Sequence, residues 1–95
     1  MAAYEKCPDE VLDYTLDWSS LLGSETIASS VWTPPDGITV DSDAKTDTTT
    51  AVKVSGGTID VRYNIVNKIT TVPSGVVMER TLPILIVRAK YLSAT

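Results

Sequence analysis

The chain has 95 residues, 43% of them hydrophobic, and a net charge of −4, which suits one small domain and excludes two. It contains no histidine and one cysteine, Cys7, so histidine-dependent triads, multi-cysteine zinc sites and an internal disulfide framework are excluded by count. Val, Ile and Thr make up 31 residues, and their branched, torsionally stiff side chains favour pleated sheet over a helical bundle.

The charge is unevenly spread. Residues 1–50 carry ten acids and two bases, and residues 51–95 carry two acids and six bases. An acidic total argues against a general nucleic-acid binder, which needs a basic footprint. The split reads either as two solvated faces or as unlike poles that pack head-to-tail between copies. Residues 1–10 hold no apolar segment of signal-peptide type, and the longest aliphatic run, Ile84-Leu85-Ile86-Val87, is too short for a membrane span. One cysteine and no leader suit folding in a reducing cytoplasm.

In chain order, residues 1–10 are polar, contain Pro8 and read as an extended N-terminal arm. Leu12, Tyr14, Leu16 and Trp18 then alternate with Asp13, Thr15 and Asp17, the period of a half-buried strand. Residues 19–24 predict one helical turn with a serine cap and Gly23 as stop. Residues 26–32 predict a second strand, with Ile27 and Val31 on one face and Trp32 on the other. Pro34-Pro35-Asp36-Gly37 ends it.

Ile38-Thr39-Val40 predicts a short third strand, followed by a polar loop over residues 41–47. Residues 48–55 predict a fourth strand, and Ser55-Gly56-Gly57-Thr58 a tight connection. Residues 59–71 form the longest strand pattern. Ile59, Val61, Tyr63, Ile65 and Ile69 share one parity, which Asn67 interrupts. Val72-Pro73-Ser74-Gly75 predicts a hairpin turn, and residues 76–87 return, with Arg80 intruding on the apolar parity. Pro83 predicts an edge position, a bulge or a change of partner there. Together these predict an all-β, immunoglobulin-like β-sandwich of about seven short antiparallel strands. The expected division is an N-terminal arm over 1–10, the sandwich over 11–88 and a C-terminal tail over 89–95.

No constellation points to catalysis. Asp13 and Asp17 stand four apart on a strand, roughly 13 Å by strand rise, wider than a glycosidase pair needs, and read as outer-face charges. Asp41, Asp43 and Asp47 echo a calcium loop, but Lys45, Thr46 and Val52 stand where an oxygen ligand, glycine and glutamate are needed. The three acids leave calcium binding open beside the simpler reading, a hydrated turn. Trp18, Tyr14 and Tyr63 lie at core parities. Trp32, beside the Pro-Pro turn, is placed to cap the sandwich, and two tryptophans on a β-sandwich leave a carbohydrate-binding module as a reading from a different class. Tyr4 and Tyr91 lie in the arms, where they read either as rings docked on their own domain or as aromatic anchors for a partner.

A string of short signatures then stands out: Asp9-Glu10-Val11-Leu12-Asp13-Tyr14, Asp17-Trp18, Leu22-Gly23, Thr26-Ile27 and Ser30-Val31-Trp32-Thr33. It continues through Gly37-Ile38-Thr39-Val40, Ser55-Gly56-Gly57-Thr58 and Asn67-Lys68-Ile69-Thr70-Thr71. In this order, over roughly residues 9–87, the chain resembles the fibre-tail adaptor proteins of tailed bacteriophages. The resemblance implies an immunoglobulin-like sandwich and a non-enzymatic structural role in the virion. It implies a part that joins tail fibres to the tail or connector, assembled in the host cytoplasm. The implied partners are other virion proteins, a tail or connector protein and a fibre protein, and further copies of the chain, with no nucleic acid, membrane or cofactor. A capsid decoration or cement protein is the alternative within this class. The expected contact residues are Ala3, Tyr4, Lys6, Trp32, Lys90 and Tyr91.

Overall fold

Alternation along the chain builds the sheets directly. In a computed structural model that describes residues 3–89, Leu12, Tyr14 and Leu16 are half-buried and the residues between them exposed, over strand β2 (Leu12–Asp17). The other strands are β1 (Tyr4–Lys6), β3 (Thr26–Thr33), β4 (Ile38–Lys45), β5 (Thr49–Gly56), β6 (Arg62–Val72) and β7 (Val77–Ile86). They form two sheets, ordered β1-β7-β6-β3 and β2-β5-β4. Both sheets turn their apolar parities into one cluster, with Trp32, Tyr63, Ile65, Leu82, Ile84 and Ile86 from the first and Ile38, Val52 and Val54 from the second. A second cluster of Trp18, Leu22, Ile27 and Ile69 closes one end.

Between the clusters lies a buried polar layer. Trp18 Nε1 donates to Thr50 Oγ1 at 2.9 Å, and the Thr50 hydroxyl donates to Asn67 Oδ1 at 2.6 Å. Asn67 Nδ2 then donates to Ser30 Oγ at 2.9 Å and Val31 O at 3.2 Å. Asn67 thus continues the inward parity of β6 between Ile65 and Ile69, and it is tolerated there because its amide finds partners on two other strands.

Several expectations are corrected. The strands are not all antiparallel: β1 pairs with β7 in parallel, Tyr4 opposite Ile84 and Lys6 opposite Ile86. The predicted polar loop over 41–47 is mostly strand. β4 runs on to Lys45 because its backbone pairs with β5, Ser42 opposite Lys53 and Lys45 opposite Thr50, whatever its acidic side chains prefer. In β3 the register shifts between Ile27 and Ser29. A bulge inserts one residue and inverts the alternation beyond it. Ile27 and Trp32 therefore both point inward, and Val31 is exposed.

The helical turn α1 spans Ser19–Leu22, but Trp18 takes the N-cap position without a side-chain bond. Asp17 Oδ1, rather than a serine, accepts from Ser19 N–H at 2.9 Å. Pro83 is buried and stands opposite Asn64 of β6, immediately before the stretch where β1 joins β7.

Candidate partner interface

Tyr4 and Lys6 are neighbours on opposite faces of β1, and their environments differ completely. Tyr4 is half exposed, with its ring centroid 5.4 Å from that of Tyr14 on β2. Lys6 is fully buried. Its ammonium donates to Gly56 O at 2.7 Å, Cys7 O at 2.8 Å and Pro8 O at 3.3 Å. These three carbonyls use all the protons of the group and tie β1, in one sheet, to the end of β5 in the other. Burial pushes the Lys6 pKa below its usual value, while Glu10, Cys7, Asp9 and Asp41 pull it back up.

The expected contact residues therefore do not gather at one place. Ala3 is half-buried just before β1. Trp32 belongs to the main core, its Nε1 buried without a hydrogen-bond partner. Lys90 and Tyr91 lie outside the described residues. Both tryptophans are interior, 1% and 9% exposed, so neither offers the open stacking face that the carbohydrate-binding reading needs. The Tyr14 hydroxyl is also buried without a partner, and burial raises its pKa.

Asp13 and Asp17 lie on the outer face of β2. Asp13 stands opposite Lys53, and the Ser19 amide holds the Asp17 carboxyl below the usual carboxylate range. Asp41 and Asp43 are on strand β4, where Asp41 Oδ1 accepts from Ser55 Oγ at 3.1 Å. Among the described residues no group of three acids, cysteines or histidines is placed to hold a metal ion.

A groove of about 250 Å³ lies where β1, the end of β2, α1 and β7 meet. Its walls are Tyr4, Leu16, Trp18, Leu21, Leu82 and Pro83, with Asp17, Arg80 and Thr81 at the polar positions. The Arg80 guanidinium lies 5.8 Å from the centroid of the Trp18 ring, and its Nη1 donates to Glu79 O at 2.7 Å. Arg80 has the inward parity of β7 but is exposed at the rim, with its guanidinium over the indole. In the sequence its only signal is a charge on an apolar parity; what places it is Trp18, sixty residues away in the chain.

The family model for the podophage GP4 fiber-tail adaptor protein gp77 matches residues 6–84. The chain belongs to this family of phage structural adaptors. No curated protein matches it.

Proposed function

We propose that the chain is a non-enzymatic structural protein of the virion that joins tail fibres to the tail or connector, works in several copies and assembles in the host cytoplasm. The observation that carries the reading is the family match over residues 6–84. The two-sheet β architecture agrees with it. We read the fold as immunoglobulin-like: the order β2-β5-β4 in one sheet and β3-β6-β7 in the other parallels the division of strands in such sandwiches, with β1 added to the second sheet. The contacts are made by other virion proteins without nucleic acid, and Ala3 and Tyr4 are the residues of the N-terminal arm best placed for them.

Electron microscopy of particles produced without the protein tests the reading. Particles that lack fibres or end in an incomplete tail are expected. Complete, fibre-bearing, infectious particles would overturn it.

A further inference from the structure

Strand β7 is covered on its β6 side along its whole length, but β1 covers its other side only at residues 84–86. Residues 77–82 have no strand beside them there among the described residues. An open edge presents a row of unpaired backbone groups, and such edges are normally blunted. Two others in this domain are. Asp41 and Asp43 guard β4, while the bulge bends β3, where Lys45 Nζ also donates to Ile27 O at 3.0 Å. The open part of β7 is instead floored by the apolar groove.

We infer that the β7 edge over residues 77–82 and the groove beside it accept an extended segment of another virion protein, added to the sheet as a strand in line with β1. The inference rests on the adaptor reading and names its surface. Strand addition supplies affinity through backbone pairing and selectivity through alternate side chains. Arg80 and Leu82 share a parity, so the incoming segment meets both on one face. It carries a carboxylate for Arg80 and, two residues away, a large apolar side chain for the pocket between Leu16, Leu21 and Leu82. Asp17, on the facing wall, accepts from Ser19 N–H, and the Arg80 guanidinium donates to Glu79 O rather than to that carboxylate. The exposed edge β4 of a second copy would bring the acids but no large apolar side chain, since its exposed residues are Thr39, Asp41, Ser42, Asp43, Ala44 and Lys45. A segment of a different protein therefore fits better than that edge of a second copy.

Photo-crosslinking in purified particles tests this, with p-benzoylphenylalanine replacing Leu21 at the groove and, as control, Val31, which is exposed on β3. The expected product from position 21 joins the chain to an extended segment of a different virion protein, with the acid and apolar residue two apart. Its yield falls at least about tenfold with Arg80→Glu, as for a reversed charge at a polar interface, and is retained with Arg80→Lys. A product within the chain, a product with a second copy, the same product from position 31, or no product in particles that contain the chain would overturn the inference and leave the adaptor reading standing. Particles that contain none of the chain would overturn both.

Discussion

The hydroxyl of Thr50 donates to Asn67 Oδ1 over 2.6 Å, joining β5 of one sheet to β6 of the other inside the core. Both residues are fully buried, and each has further work: Thr50 accepts from Trp18, and Asn67 donates to Ser30 and Val31. The two sheets are thus registered against each other by directional bonds as well as by apolar packing.

Asn67→Leu keeps the volume and removes one acceptor and two donated bonds. The Thr50 hydroxyl and the Val31 carbonyl then lose partners in a place where an unmade bond costs about 1–3 kcal/mol. We expect a loss of about 2–4 kcal/mol, a large part of the stability of a domain this size. Thr50→Val should lose less, about 1–3 kcal/mol, because Asn67 keeps its donors. Urea unfolding checks both, as a lower midpoint at unchanged slope.

Lys6 gives the alkaline side of the stability profile a definite sign. Its pKa is lowered in the folded state by burial, so between that value and 10.5 the unfolded chain holds more protons than the folded one. Stability therefore rises with pH across that window. Lys6→Met removes this contribution. The difference between wild type and Lys6→Met in thermal midpoint should grow in favour of wild type as pH climbs towards 10.5. A pH-independent difference would show that the buried ammonium does not titrate in this way.

At the opposite end of the domain, Glu25 holds the β6–β7 turn. Its Oε1 accepts from Ser74 N–H at 2.9 Å and from the Thr71 hydroxyl at 3.1 Å. The Ser74 bond is the main reason its pKa lies below the usual 4.5. The stability it contributes is present above that value and is lost as pH falls through the lowered one. Hydrogen exchange at the Ser74 amide should quicken as the carboxylate protonates, and Glu25→Gln should abolish that part of the acid dependence.

Gly57 and Gly23 separate conformational cost from steric cost. Both have positive φ, +104° and +62°. A Cβ at position 57 would stand 2.5 Å from Cγ1 and Cδ1 of Ile86, whereas at position 23 it meets nothing within 4 Å. Gly23→Ala should cost about 1–3 kcal/mol, the penalty of its positive-φ backbone alone. Gly57→Ala adds the displacement of a fully buried isoleucine, about 1–3 kcal/mol more. Paired thermal unfolding curves check the ordering.

The chain's local pattern was enough to set its class. Period-two alternation marks β2, β6 and the inward row Leu82, Ile84 and Ile86, and the positions of the turns follow from Pro and Gly. The missing histidine and lone cysteine remove whole chemistries without a structure. The groove was the least legible feature, because Leu16, Leu21, Arg80 and Leu82 come from segments about sixty residues apart and no local pattern relates them.

Tertiary structure decided the rest, and the physical reason is the same throughout. Backbone pairing and burial depend on what lies across the sheet, not on the next residue along the chain. A one-residue bulge in β3 turned Trp32 inward and Val31 outward. Pairing with β5 held the acidic residues of β4 as strand. Three carbonyls made a buried home for Lys6, which on composition alone belongs to a solvated arm. Asn67, an interruption in the sequence, became the centre of the polar layer because Thr50, Ser30 and Val31 meet it there.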